Sequence, residues 1–400
     1  MTQPVIQLPT PGETVLRTYE RMRRRGDIVP IELPGGVGAW AAVSHRAVTE
    51  LLAGDGTSIS HNARSCPALH DGSIPADWPM RALTQMEHML NQDGDEHRRL
   101  RRTISKAFTP ARVAALEPRI QQITTELVDA FPDGGDPVDL VSAFTTPLPV
   151  RVICELFGVP GDEQEPMRDW TSTLVSHTST AEQMQAAMQD MTGYLAELIE
   201  RTRRAPGDDL TSALAGDDSG LSTEELVSML WLAIAAGHET TVHLLGNAII
   251  TLCAHPAQLD KARTQDRWAD VVEEALRYCS SVFTVNLRFP LRDITIAGTD
   301  IPAGAIVTWY GGVGRDPERH PDADVFDIDH DHRDQLAFGR GPHVCLGAPL
   351  ARLEARIALS TLFTRYPGLS IASDPAELPY PPQFLTSGPL LLPVHLKPAA

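Results

Sequence analysis

Along this 400-residue chain, apolar positions recur mostly at spacings of three and four, and strict alternation is confined to short stretches. The longest periodic segment runs from Ser222 to His255. It opens on a capping box, Ser222 to Glu225, and stops before Pro256. At about 1.5 Å per residue, this predicts a helix of roughly 50 Å, long enough to cross a domain. "ARVAALEPRIQQITTELVDAF" and "AEQMQAAMQDMTGYLAELIERTRR" carry the same spacing, and residues 96–108 read as a basic helix with Pro110 near its end. Strand patterns are few. "DIVPIELPGGVGAWAAVS" predicts a hairpin with a Gly-Gly turn, "DITIAGTDIPAGAIVTWYG" alternates between turn glycines, and "QFLTSGPLLLPVHL" predicts a C-terminal hairpin. Between Ser58 and Gln92 no period holds and turn residues crowd. A loop of that length inside a compact chain is usually functional. The pattern predicts a mainly α protein with minor β sheets.

Composition narrows the function classes. Hydrophobic residues make up 42% and charged residues 22%, as in ordinary globular proteins. The net charge of −18 argues against general affinity for nucleic acid or anionic membranes, so any electropositive site must be local. No apolar run has the length of a signal peptide or membrane span. The most apolar segment, Leu226 to Ala254, is interrupted by His238, Glu239, His243 and Asn247. A cytoplasmic location without membrane attachment is expected. The five cysteines, Cys66, Cys154, Cys253, Cys279 and Cys345, show neither a disulfide framework nor a CxxC metal pattern. A metal, if present, must rest on one of them almost alone.

Cys345 has the setting for that. It lies in "AFGRGPHVCLGAPLAR", where helix formers begin at about Ala348 and Pro349 suits a first turn. Backbone N–H groups around Leu346 to Ala348 then point at the sulfur, the kind of setting that stabilises a thiolate. Gly339, Gly341 and Gly347 let the backbone approach a flat ligand or take positive φ. A buried packing cysteine requires none of this. "FGRGPHVCLG" resembles the haem-binding loop of the cytochrome P-450 family at Phe338, Gly339, Gly341, Cys345 and Gly347, and "APLARLEA" continues it in the bacterial form. The resemblance covers nearly the whole chain. It implies one domain over residues 1–400, shaped as a triangular prism, with its β-rich part mainly at 28–45 and 282–310. The helical part is mainly at 96–280 and 346–366. Haem b would lie between a long distal helix and a proximal Cys loop and helix, with Cys345 as the iron ligand.

"WLAIAAGHETTVHLL" puts a glycine and a carboxylate inside the longest helix. Glycine there costs about 1 kcal/mol relative to alanine, and a buried carboxylate costs more unless it is paired. By residues alone, this is an amphipathic helix whose polar side meets water. The resemblance implies otherwise. Ala236, Gly237, His238, Glu239 and Thr240 match the family's distal motif. There Ala236 and Gly237 leave room for O2 over the haem, while Glu239 and Thr240 deliver protons toward oxygen. His238 falls at the motif's variable position.

The remaining assignments follow from the same resemblance. Glu274 and Arg277 in "VVEEALRY" match its structural ion pair. The pair's usual third partner, an arginine of the meander, is replaced by Val325, and Gly314 stands where an asparagine is common. His97 and Arg101, at i,i+4 spacing, match a clamp for the haem propionates. Arg288 and His343 match two further propionate contacts, and Phe338 and Gly339 line the cofactor. Arg98, Arg99, Arg102 and Lys106 cannot all face the haem, and several are assigned to docking an acidic electron donor. The implied substrate pocket comprises Met89, Leu90 and Asn91; Leu232, Ala235 and Ala236; Val282, Phe283, Thr284 and Val285; and Leu385 and Thr386. A monomeric monooxygenase is implied, taking electrons from a ferredoxin and its reductase to oxidise a steroid, polyketide, terpenoid or peptide-derived product. Two alternatives stay open on the same motifs. One is oxidative C–C or C–N coupling, and the other is a non-catalytic haem sensor.

Overall fold

The computed structural model describes residues 5–8, 15–78, 80–106, 108–132, 135, 137–175, 179–216, 220–284, 286–380 and 385–396. Helices dominate. The longest, Thr223–Ala254, has Ser222 as its N-cap, with both hydrogen bonds of the predicted capping box formed. Most of its length is buried, because helices pack around it on several sides. These include Pro147–Leu156, Ala181–Arg204, Trp268–Tyr278 and Ala348–Arg365. A helix hydrophobic nearly all round can only be stable in such a position.

Proline sets two boundaries differently from the sequence pattern. The basic helix is Gly94–Ser105, and Pro110 does not close it but opens the next helix, Pro110–Ala115, where Thr109 accepts from the Arg112 N–H. "ARVAALEPRIQQ" is likewise two helices, because Pro118 begins a new turn in Glu117–Asp129.

The principal sheet has four strands. Ile28–Leu33 pairs antiparallel with Val37–Ala42, joined through Gly35 and Gly36, whose φ values of +82° and +77° explain the Gly-Gly turn. Ile6–Gln7 and Val307–Trp309 flank this hairpin in parallel. Ile294–Ile296 and Thr299–Ile301 form a second hairpin. The predicted C-terminal hairpin is not formed among the described residues. Instead Pro393–His395 lies between Ser370–Ile371 and Val138–Asp139, and Thr386 bridges to Val282. The partner strands come from elsewhere in the chain. The described residues of 58–92 form a short strand, Ile59–Ser60, three 3-10 turns and one α-helix, Arg81–Gln85. No described helix is long and apolar enough to cross a membrane.

Candidate functional site

The loop before Ala348–Arg365 is closed on itself. The Cys345 N–H donates to the Phe338 carbonyl at 2.8 Å, and the Gly339 N–H to the Leu336 carbonyl at 2.8 Å. Gly339 and Gly341 have φ of +71° and +81°, which side chains resist. Gly347 differs. Its φ is −79°, and a Cβ there would meet the Cys345 sulfur at 4.0 Å, an ordinary van der Waals contact, so neither backbone nor space demands glycine here. The backbone N–H groups of Gly347 and Ala348 favour the thiolate form of this sulfur, and they fall within the span read from the sequence. The Phe338 ring lies beneath the Arg352 guanidinium, 4.5 Å from its centroid.

Cys345 is solvent-exposed, yet the chain packs around its sulfur closely enough for desolvation to push the thiol pKa up. The two N–H groups, Arg101 and Arg352 oppose that rise. Both observations fit a sulfur lining a recess enclosed by protein. A bonded cation would shift the balance to thiolate.

The middle of the long helix Thr223–Ala254 has an opening at Ala236. Ala236 is exposed although Leu232, Ile234, His238 and Thr241 around it are buried. The Thr240 hydroxyl donates to the Ala236 carbonyl at 3.1 Å, which tethers it beside that opening. Glu239 lies 3.3 Å from His243 and 3.8 Å from His238. Burial raises its pKa, but the two imidazoles outweigh this and hold it below the ordinary value. Gly237 is spent otherwise. A Cβ there would sit 2.9 Å from Ile153, so its smallness serves packing against the helix Pro147–Leu156.

Near Cys345 lies a cluster of imidazoles. The rings of His97 and His343 are 4.1 Å apart, and His61, which the sequence reading missed, stacks on His343 at 3.7 Å. Burial pushes His97 down to about 4 and His343 down to about 2, so both rings are neutral donors and acceptors near neutral pH. The Arg101 guanidinium reaches the Val344 carbonyl at 2.6 Å. Arg288 is not a free cation. Asp55 takes its Nε at 2.9 Å and Nη2 at 3.2 Å, and both residues are buried. The His61 Nε2 lies 3.3 Å from Asp55 but is not aligned as a hydrogen bond, so neither ring nitrogen has a formed partner. His61, Asp93 and His343 are close enough to share a cation. However, Asp93 already accepts from the Ser60 hydroxyl and the His61 backbone N–H. Only the fold brings His61, from the short strand region, to this cluster, so nothing in its local sequence marks it.

Glu274 and Arg277 are both buried and joined by two bonds of 2.8 and 2.7 Å. Arg277 also donates to the carbonyls of Gly314, Ala323 and Val325, while Glu274 accepts from the Asp327 N–H and contacts His330 at 3.1 Å. The missing arginine at position 325 is thus replaced by backbone groups and a histidine. Gly314 is required where it stands, because a Cβ would lie 2.6 Å from the Arg277 carbonyl.

Of the expected pocket residues, Met89, Leu90, Ala235, Val282 and Leu385 are partly exposed, while Leu232 is buried. Phe283 and Asn91 are otherwise engaged. The Phe283 ring packs edge-on against Tyr310 in the sheet core, and Asn91 donates to the Leu83 and Met86 carbonyls. Both side chains are thus held by structural partners. Thr284 and Thr386 are buried at isolated bridges, and Val285 lies outside the described residues. In the basic helix, Arg99 is drawn away from the expected docking face by Glu96 and Glu225, Arg98 pairs with Asp95, and Arg102 and Lys106 are exposed.

The donor set fits haem. A single sulfur whose thiolate form is favoured by two backbone N–H groups and two arginines suits an iron ligand, and Ala236 is exposed on the helix side. Buried imidazoles lacking partners, His61 and the His97 Nε2, suit two carboxylates. Comparisons with known proteins agree. Residues 269–389 match the family model described as cytochrome P-450. The chain is 39% identical over 387 residues to the cytochrome P-450 monooxygenase PikC of Streptomyces venezuelae, covering 94% of this chain and 90% of that protein. Its fold matches CYP154C4 from Streptomyces sp. W2061 with a TM-score of 0.94 at 35% identity, over 100% of this chain and 99% of that one. It also matches CxnD, described as an enzyme for C–S bond formation in chuangxinmycin biosynthesis, at 33% identity and a TM-score of 0.89, over the whole of both chains.

Proposed function

This chain belongs to the cytochrome P-450 family, and on that premise we propose that it inserts oxygen into a lipophilic natural product using electrons from a ferredoxin and its reductase. The observation that carries the reading is the Cys345 sulfur, closely surrounded by the chain and favoured as thiolate by the Gly347 and Ala348 N–H groups, Arg101 and Arg352. Bound haem b supplies the iron centre at which O2 is activated, with electron density pushed from the thiolate. The chain supplies the rest. Cys345 holds the iron, and His97, Arg101 and His343 bind the propionates. Arg288, neutralised by Asp55, steadies the same corner rather than acting as a bare cation. Thr240 and Glu239 pass protons toward the reacting oxygen, with the Thr240 hydroxyl fixed by the Ala236 carbonyl. Met89, Leu90, Ala235, Val282 and Leu385 form apolar walls suited to a lipophilic substrate.

Turnover under isotopically labelled O2 tests the reading, with one labelled atom expected in the product. Thr240→Ala is expected to retain haem and reductant oxidation but to lose most product, roughly the 10²-fold that general acid assistance contributes. Full coupling in that variant would remove Thr240 from the relay. An electron donor would dock at Arg102 and Lys106, exposed at the end of the Gly94–Ser105 helix. Arg102→Glu is expected to weaken ferredoxin binding at low salt, an effect that fades as salt rises. Unchanged affinity at low salt would move the docking face elsewhere.

A second reading is oxidative bond formation with no oxygen retained. It is favoured by the likeness to CxnD, described as forming a C–S bond. Product without label, formed while O2 is consumed, would select it.

A further inference from the structure

Three of the polar residues buried in the long helix Thr223–Ala254 have an evident use. The His238 ring contacts the Ile234 carbonyl at 2.8 Å and the Thr171 hydroxyl at 3.0 Å, which ties the long helix to the helix Gln164–Val175. Asn247 donates to the carbonyls of Cys279 and Ser387 and accepts from the Tyr380 hydroxyl, so it anchors the C-terminal segment. Thr251 bonds back to the Asn247 carbonyl. His243 lies between these positions and is buried at 5% exposure, with neither ring nitrogen in a well-formed hydrogen bond. A buried polar group left so is destabilising, and a native core rarely tolerates that without a reason.

The carboxylate of Glu239, one turn earlier, lies beside His243, with the His243 Nε2 at 3.3 Å from its Oε2. The ring has little freedom to leave it. A Cβ added to Gly388 would lie 2.2 Å from the His243 Nδ1 and 2.6 Å from Cγ, so the glycine backbone covers the ring closely. That backbone is fixed in turn, because the neighbouring Ser387 carbonyl is held by Asn247 and the Ser387 N–H donates to the Ser281 carbonyl. The imidazole is thus clamped from the C-terminal segment, with its Nε2 edge toward the acid.

We propose that His243 is the positioning residue for the proton-relay acid, holding the Glu239 carboxylate in place beside Thr240 through its Nε2–H. This rests on the assignment of Glu239 to proton delivery made above. It adds a residue from outside the distal motif and makes Gly388 the support for that residue. The groups that act on Glu239 among the described residues are His243 and His238 of its own helix, and the packed C-terminal segment brings only the Gly388 backbone. With His243 absent, burial acts on the carboxylate opposed only by His238, and its proton affinity rises.

The test uses haem-loaded protein and four variants. His243→Leu removes the donor with little loss of volume, His243→Asn keeps polarity but falls short of Glu239, His243→Gln retains an N–H donor at similar reach, and Glu239→Gln is the reference for the relay. Two properties are read: product formed per reductant oxidised as a function of pH, and the infrared carboxylic-acid band assigned to Glu239 by its loss in Glu239→Gln. His243→Leu and His243→Asn are expected to move both titrations upward by about one pH unit, a tenfold change in protonation ratio, and His243→Gln to restore them. If Glu239→Gln uncouples while Leu and Asn leave both titrations in place, the inference is overturned and the relay stands. If Glu239→Gln stays fully coupled, the relay assignment itself falls and the inference falls with it. Should His243→Leu fail to fold, His243→Asn against His243→Gln decides on the same terms.

Discussion

Cys345→Ala is expected to abolish the red-shifted Soret band of the reduced, CO-bound protein, and product formation with it. The other four cysteines cannot take over. Cys66 and Cys154 are buried, and desolvation raises the thiol pKa of all four, to about 12 for Cys154 and Cys253 and about 11 for Cys279. Neutral thiols make poor metal ligands. Burial also raises Cys345, but two backbone N–H groups, Arg101 and Arg352 pull against it, and it alone of the five residues is solvent-exposed. The alanine variant loses one sulfur atom and keeps the loop bonds between Gly339 and Leu336 and between Cys345 and Phe338, because both are backbone bonds. Folding is therefore expected to survive while thiolate ligation does not. A red-shifted band that persisted in the alanine variant would exclude Cys345 as the ligand.

Glu274→Gln is expected to cost about 3–5 kcal/mol of stability, read as a lower midpoint in denaturant unfolding. Exposed i,i+3 pairs are worth only about 0.2–0.5 kcal/mol, and the magnitude here differs because of burial. Arg277 is 2% exposed and Glu274 0%. Removing one member leaves the other as an uncompensated interior charge. The guanidinium also donates to the Gly314, Ala323 and Val325 carbonyls, so the pair stitches the helix Trp268–Tyr278 to the meander that leads to the Cys345 loop. Haem retention should fall together with stability. Replacing both residues with apolar ones should not rescue the fold, since three carbonyls and the Asp327 N–H would then lose their partners. A loss below about 1 kcal/mol would place the pair among ordinary surface bridges.

The chemistry-bearing positions were legible where they are contiguous. The Cys345 loop and the distal motif each lie within one short stretch, so spacing along the chain carries most of their geometry. The capping box at Ser222 and the Gly-Gly turn at Gly35 and Gly36 were readable for the same reason, since both are local hydrogen-bond or φ requirements. Pro110 and Pro118 show the limit of periodicity, because an apolar stripe continues across a break that one ring imposes. Phe283 and Asn91 show another limit. A pocket position and a core position have the same residue type, and only packing against Tyr310 or bonding to the Leu83 and Met86 carbonyls separates them.

The amino-acid sequence by itself determined the mainly helical class, the span of the long helix, and the identity of the one cysteine with a chemical setting. Each depends on interactions within a turn or two of chain. Tertiary structure decided what each charge and imbalance meets. It gave Arg288 to Asp55, replaced the missing meander arginine with carbonyls and His330, brought His61 to His343, and laid Gly388 over His243. Those partners lie between 37 and 282 residues apart or more simply on different elements of the chain, as with the 233 residues between Arg288 and Asp55. No local pattern encodes such pairings, because a charge is satisfied by whatever the completed fold places within hydrogen-bond reach.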